Sequence, residues 1–265
     1  MVDERDEGLD EVRGWLAQAE RIVVLTGAGI STDSGIQDFR GPQGLWTKDP
    51  AAEKAAHLSH YLADPAVRER AWRARAASPA FSAEPNDGHR ALVELERSGR
   101  LHTLITQNID GLHQAAGSDP TLVVEVHGTI REVACLDCGD RAPMQVALDR
   151  VAAGEVDPPC LLCGGILKSA TISFGQNLVV DDLERSMAAA RATDLLLAIG
   201  TTLTVFPAAD VVPLAVAQGA PVVIVNGSPT AMDDLADVVI NGSISEVLTA
   251  LVADLPRRGQ WGRQR

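Results

Sequence analysis

The four cysteines of this chain fall in two matched pairs, Cys135-Leu136-Asp137-Cys138 and Cys160-Leu161-Leu162-Cys163, with 21 residues between them. Two Cys-x-x-Cys turns at this spacing are what one tetrahedral zinc ion requires, each turn offering two thiolates. Four thiolates close the coordination sphere and leave no position for a reacting water, so a zinc held by Cys135, Cys138, Cys160 and Cys163 is structural. A redox-active dithiol is the rival reading of any single pair, and it needs a further coincidence to account for both. No cysteine remains for nucleophilic chemistry, which must be sought elsewhere in the chain.

The bulk properties narrow the classes. A chain of 265 residues can bury one large domain, or a large and a small one. No run reaches the roughly 18 apolar residues of a membrane span. The first seven residues are acidic rather than basic-then-apolar, which is unlike a secretory signal. A cytoplasmic location is therefore expected, where reduced thiols favour metal over disulfide. A net charge of −13 disfavours sequence-independent nucleic-acid binding, which needs a basic footprint. It suits either basic protein partners or solubility alone. Nothing in the pattern sets the oligomeric state, and a monomer is compatible with it.

Apolar runs of strand length recur at residues 21–25, 102–106, 122–126, 194–199, 221–225 and 236–240. Helical patterns lie between them, including residues 87–98 with Gly99 as a stop signal, 181–191, a helix ending near Gly219, and 243–255. Near-continuous apolar strands alternating with helices predict an α/β fold with a doubly wound, parallel, Rossmann-like sheet covered on both faces. Two stretches break the rhythm. Residues 41–85 are rich in Ala, Arg and Pro, with helical patches at 51–60 and 65–77, and residues 133–168 carry the cysteines. Both read as insertions that together build a smaller zinc-binding and helical module. The sheet domain would then comprise residues 1–40, 86–132 and 169–255, with a basic tail at 256–265.

After the first strand comes Gly27-Ala28-Gly29-Ile30-Ser31, then Ser34-Gly35-Ile36 and Asp38-Phe39-Arg40. Glycines there let backbone approach a pyrophosphate. The Gly-x-Gly-x-x-Gly fingerprint is incomplete because Thr32 stands at the third glycine, so the turn by itself is weak evidence, with a plain structural turn as its rival reading. The full run resembles the signature of the sirtuins, the NAD-dependent protein deacylases. Further segments match that family in order: Gln107-Asn108-Ile109-Asp110, His127-Gly128, the cysteine pairs, Phe174-Gly175-Gln176, Gly200-Thr201-Thr202-Leu203 and Val225-Asn226. The resemblance covers roughly residues 22–251.

That resemblance implies NAD and acyl-lysine proteins as substrates and one structural zinc. It implies that the acyl oxygen of a modified lysine attacks the nicotinamide ribose, releasing nicotinamide and leaving the acyl group on ADP-ribose. It assigns Gly27, Ala28, Gly29, Ile30, Asp38, Phe39 and Arg40 to the cofactor, with Phe39 shielding the ribose and Arg40 holding phosphate. Gln107, Asn108, Ile109 and Asp110 fall on the nicotinamide-ribose side. Gly200, Thr201, Thr202, Asn226, Gly227 and Ile244 fall on the adenosine side. His127 and Asn108 are the candidate catalytic residues. A histidine can take a ribose hydroxyl proton near neutral pH, and His127 follows a sheet strand where ligands bind in doubly wound folds. His89 reads as loop-anchoring.

Ile172, Phe174 and Gly175 are the candidate peptide-binding residues, and strand addition would use their main chain. This stretch lacks the Arg-Pro common in the family and has Gln176 where Glu is frequent. Members that remove acidic acyl groups carry a Tyr and an Arg three apart in the helical insertion, and the corresponding positions here are Ala71 and Ala74. With no guanidinium there, a neutral acyl group is expected, acetyl or longer. Trp72 and Arg75 also resemble a branch with lipoamidase or ADP-ribosyltransferase activity. Mono-ADP-ribosyl transfer or lipoamide cleavage at the same site is therefore the alternative reading, and a non-catalytic NAD-responsive module a third.

Overall fold

The computed structural model describes residues 4–39, 44–48 and 56–258. In chain order the elements are α1 (Glu4–Gln18), β1 (Ile22–Thr26), α2 (Leu45–Lys48), α3 (Leu58–Ala63), α4 (Pro65–Ala76), α5 (Asp87–Arg97), β2 (Leu101–Thr106), α6 (Leu112–Ala116), β3 (Val123–Glu125) and β4 (Gly128–Cys135). There follow β5 (Arg141–Pro143), α7 (Met144–Ala152), β6 (Leu167–Thr171), α8 (Val180–Ala192), β7 (Leu195–Ile199), α9 (Val211–Ala217), β8 (Val222–Asn226), β9 (Val238–Asn241) and α10 (Ile244–Val252).

Six strands form a sheet in the order β3-β2-β1-β7-β8-β9, every pairing parallel. The expected doubly wound architecture is thus present, with the order reversing between β1 and β7. Side chains alternate between two apolar layers, which explains why β1, β7 and β8 are buried at every position. Ile22, Val24, Leu104, Leu197 and Val223 meet Leu92 and Leu95 of α5 and Val247 and Leu251 of α10. Val23, Leu25, Ile105, Leu196 and Ile224 meet Ala190 of α8 and Val212 and Ala215 of α9.

Helix α1 is an addition to the sequence expectation. Its anchors are Val12 and Leu16, both buried in the first layer, and two apolar positions four apart leave a faint periodicity. Of the helical patch expected at 51–60, residues 51–55 lie outside the described residues, and α3 starts at Leu58. Helix α4 has the start signals its sequence carries: Asp64 accepts from the Ala66 amide at 2.8 Å, and Pro65 opens the first turn.

A second sheet, β5-β4-β6, is antiparallel. Strands β4 and β6 run across positions 132 and 169, because ladder bonds do not stop where composition changes. Trp72 of α4 packs with Val133, Met144, Ala147 and Leu167, so the helical and cysteine-bearing insertions share one small core. Among the described residues no helix is long and apolar enough to cross a membrane.

Beneath the sheet's carboxyl edge lie two buried histidines, His89 of α5 and His113 of α6, with ring centroids 5.0 Å apart. Thr26 Oγ1 donates to Thr106 Oγ1 at 2.8 Å, so it accepts from His113 Nε2 at 2.9 Å, and the neutral Nε2–H tautomer results. Burial pushes His113 well below the ordinary histidine range and His89 down to about 4. The unfolded chain takes these protons near pH 6.5. Stability is therefore unaffected above that pH and falls as pH drops from 6.5 towards 4, by up to about 3 kcal/mol for His89. Urea midpoints measured from pH 8 to pH 4 should hold steady and then decline below 6.5, with a shallower decline in His89→Gln.

Candidate active site and metal centre

The site lies where the loops after β1, β2, β7 and β8 meet, at the carboxyl edge of the parallel strands. Two loops come into backbone contact there. The Gly29 amide donates to the Gly200 carbonyl at 2.8 Å, and the Gly200 amide to the Val225 carbonyl at 2.9 Å. A Cβ at Gly27 would stand 2.7 Å from the Gly200 oxygen, and one at Gly29 would stand 2.7 Å from the Gly200 Cα. Only glycines permit this approach. The chain after Gly27 winds into a 3-10 helix over Ala28–Ser34.

The loop after β2 is fixed by polar side chains. Asn108 Nδ2 donates to the Gly27 carbonyl at 3.1 Å and to Ser31 Oγ at 3.2 Å, and Ser31 Oγ donates to Asp110 Oδ2 at 2.8 Å. The Leu112 amide donates to Asp110 Oδ1 at 2.9 Å, and Arg131 Nε donates to the Asp110 carbonyl at 2.9 Å. With the Asn108 amide nitrogen spent on the Gly-rich loop, its Oδ1 is the atom that can accept from a ribose hydroxyl or a water. Gln107 Nε2 donates to Thr201 Oγ1 at 2.9 Å, tying the β2 loop to the β7 loop. Asn226 Nδ2 donates to the Ser228 carbonyl at 2.7 Å.

His127 lies two residues beyond β3. Its Nδ1 is 3.0 Å from the Gln107 carbonyl. A carbonyl only accepts, so Nδ1 carries the hydrogen and Nε2 keeps a lone pair. Burial lowers the His127 pKa below its ordinary value, partly offset by that hydrogen bond. Its own carbonyl accepts from the Ile172 amide at 2.7 Å. Gly128 must be glycine: φ is +70°, and a Cβ would meet the Ala170 oxygen at 2.1 Å.

The structure therefore brings together Gly27, Ala28, Gly29, Ile30, Gln107, Asn108, Ile109, Asp110, His127, Gly200, Thr201, Thr202, Asn226 and Gly227 along one edge. Ile244 opens α10, whose Ser245 Oγ donates to Asp33 and Asn86. Asp38 and Phe39 end the described part of the first loop, with Phe39 36% exposed; Arg40 lies outside the described residues. The Phe174 amide and carbonyl bond Ala56 and Leu58 at 3.0 Å, placing Ile172 and Phe174 beside the cleft. Ser31 and Asn86 belong to the site without having been singled out. Asn86 donates to the Ile30 carbonyl at 2.7 Å and caps α5. The Asn-x-x-His spacing of a capping box was its signal.

This arrangement suits a dinucleotide. Its buried donors and acceptors (Ser31, Asn108, Asp110, Thr201 and Asn226) converge from four strand ends on one line, above two loops of bare backbone.

The four cysteine sulfurs all lie within 4.8 Å of one another. Cys135 and Cys163 are 3.5 Å apart and Cys138 and Cys160 3.8 Å, too far for disulfides. A tetrahedron of about 2.3 Å Zn–S bonds has edges of about 3.8 Å. The Leu162 and Gly165 amides point at Cys160 and Cys163 Sγ at 3.4 Å, a donor shell that suits thiolates. The set fits one structural zinc.

Fold and site together define a dinucleotide-binding α/β protein stapled by a zinc module. Residues 27–207 match the Sir2 family, and the chain belongs to it. It is 49% identical over 234 residues to the NAD-dependent protein deacetylase 2 of Streptomyces coelicolor, spanning 88% of this chain and 97% of that one. It is 40% identical to the NAD-dependent protein deacetylase 1 of Pyrobaculum aerophilum, spanning 95% and 96%. Among solved structures, a Sir2–p53 peptide–NAD+ complex superposes with a TM-score of 0.83 at 32% identity, covering 92% of this chain and 97% of that chain.

The purified protein should contain one zinc per chain by mass spectrometry of metals. Chelation or Cys135→Ala should lower its melting temperature by several degrees; a metal-free chain of unchanged stability would exclude the structural role.

Proposed function

We propose that this chain is an NAD-dependent protein lysine deacylase, removing acetyl or another neutral acyl group and releasing nicotinamide and acyl-ADP-ribose. The observation that carries the reading is the His127 tautomer: Nδ1–H committed to a backbone carbonyl and Nε2 bare beside a cleft shaped for a dinucleotide. The family membership and the relatives' names agree with it.

In this reading NAD supplies an electrophilic sugar carbon when nicotinamide departs. The loop Gly27, Ala28, Gly29 and Ile30 lies along the phosphates with Arg40; Gly27, Gly29 and Ile30 spend their amides on protein carbonyls and shape the approach, and helix 28–34 presents its amino end there. Gly200, Thr201, Thr202, Asn226, Gly227 and Ile244 take the adenosine half. Gln107 and Asn108 hold the ribose hydroxyls. Asp110 and the Ile109 backbone receive the nicotinamide amide, since each carboxylate oxygen of Asp110 has a second lone pair free beyond its bond to Ser31 or Leu112. Asp38 and Phe39 close over the sugar, the ring excluding water. His127 Nε2 accepts the ribose hydroxyl proton, and the Gln107 carbonyl steadies the imidazolium that forms. The segment holding Ile172, Phe174 and Gly175 receives the peptide on the edge opposite the bonds that Ile172 and Phe174 make to His127, Ala56 and Leu58. Ser173 and Gly175 face away from the His127 side, and among the described residues only Gln176 bonds that edge. Four thiols available to metal suit a cytoplasmic setting.

The test is incubation with NAD and acyl-lysine peptides, following nicotinamide and acyl-ADP-ribose by mass. His127→Ala should lose at least ~100-fold in turnover; full activity in that variant would exclude His127 as the base. Because the base works when neutral and burial lowers its pKa, activity should persist to below pH 6.5 and fall on further acidification. Transfer of label from NAD to protein without deacylation would instead establish the ADP-ribosyltransferase reading.

A further inference from the structure

Strand β6 is the outer strand of the small sheet. Its even-numbered residues face β4: the Ile166 carbonyl accepts from the Leu136 amide, and the Ala170 oxygen lies against Gly128. The carbonyls of Leu167, Ser169 and Thr171 therefore point to the open edge. An open edge is a template for pairing with another chain.

Here side chains cover it. Tyr61 hydroxyl donates to the Leu167 carbonyl at 2.7 Å. Lys168 Nζ donates to the Ser169 carbonyl at 3.1 Å, the Thr171 carbonyl at 2.5 Å and Thr171 Oγ1 at 3.3 Å. Arg75 of α4 reinforces the cover, with Nη2 donating to Ser169 Oγ at 3.0 Å and its guanidinium over the Tyr61 and Trp72 rings. Lys168 is only 2% exposed, and among the described residues neither it nor Arg75 forms an ion pair. Burial together with the Arg75 charge pushes Lys168 down to about 8. An ammonium buried without a carboxylate is a costly core residue. Its three donors are spent on covering this edge.

The cover ends at Thr171. Of the next outward-facing residues, Ser173 bonds Gln176 through its amide and carbonyl within one turn, a local contact that an added strand can replace, and the Gly175 main chain makes no hydrogen bond among the described residues. We propose that Lys168, with Tyr61, closes the outer edge of β6 and so sets the register of the substrate peptide, which can add only at Ser173–Gly175. Lys168 is then a positioning residue. The inference rests on the reading that this segment receives the peptide.

Full-length zinc-loaded Lys168→Met and Lys168→Arg are compared with the parent on acetyl- and succinyl-lysine peptides. In Lys168→Met the KM for the acetyl peptide should rise about tenfold, the effect of losing a charged hydrogen bond. The NAD KM and zinc content should stay unchanged and kcat should fall less than about threefold, while Lys168→Arg recovers most of the peptide KM. Tyr61→Phe removes a single hydroxyl, keeps the ring, and should move peptide KM the same way should Lys168→Met lose its zinc. An unchanged peptide KM in folded variants overturns the proposal. So does a changed acetyl-to-succinyl preference at constant peptide KM, which would make Lys168 a reader of the acyl group. Failure of the parent to consume NAD with any peptide would defeat the functional reading instead, before any variant is made.

Discussion

The contact between the loop after β1 and the loop after β7 governs this structure. At Gly27, Gly29 and Gly200 backbone lies on backbone, and a single added Cβ would stand within about 2.7 Å of main-chain atoms. The contact falls where the strand order reverses, so it draws the two halves of the sheet together at their carboxyl ends. The polar groups arranged there have their positions because of it. Asn108 hydrogen-bonds the Gly27 carbonyl, Ser31 bridges Asn108 and Asp110, and Gln107 bonds Thr201 across the same seam.

From that seam a chain of bonds leads to His127 and out to the small module. The Gln107 side chain bonds Thr201, while its carbonyl sets the His127 tautomer. His127 in turn accepts from Ile172, the first residue beyond β6. The small module is held separately by the cysteine cluster and the core around Trp72. Beyond β6 the edge passes from the cover of Tyr61 and Lys168, which ends at Thr171, to local bonds between Ser173 and Gln176. The same main chain thus connects the cysteine cluster, His127 and the segment 172–175.

Much of this was legible in the residues. Apolar runs bounded by turn signals revealed the strands, and their uninterrupted character indicated a sheet buried on both faces. Gly99 marked the end of α5, and φ there is +77°. Other features left weaker traces. Helix α1 is held by Val12 and Leu16, too sparse a pattern to stand out. Strand β4 carries Thr, Arg and Glu on half-exposed positions and β6 buries the polar Lys168 and Ser169, so neither reads as an apolar run. His113, which looks like an ordinary surface or structural residue, is buried because Thr26 supplies its acceptor. On α4 it is Trp72 and Arg75 that turn inward, rather than Ala71 and Ala74, since helix phase against the small sheet is a tertiary property.

The sequence by itself determined the metal, the family, the parallel sheet and the candidate base. Each rests on residue types at short, fixed spacings, where local geometry leaves few alternatives. The tertiary structure alone decided which His127 nitrogen is free, which Asn108 atom faces the cleft, and what Lys168 does. Each of those depends on a partner contributed by a distant segment: the Gln107 carbonyl, the Gly27 carbonyl, and the edge of β6 shared with Tyr61 and Arg75. Hydrogen-bond direction is settled by the partner, and partners far apart in the chain meet only when the fold is complete.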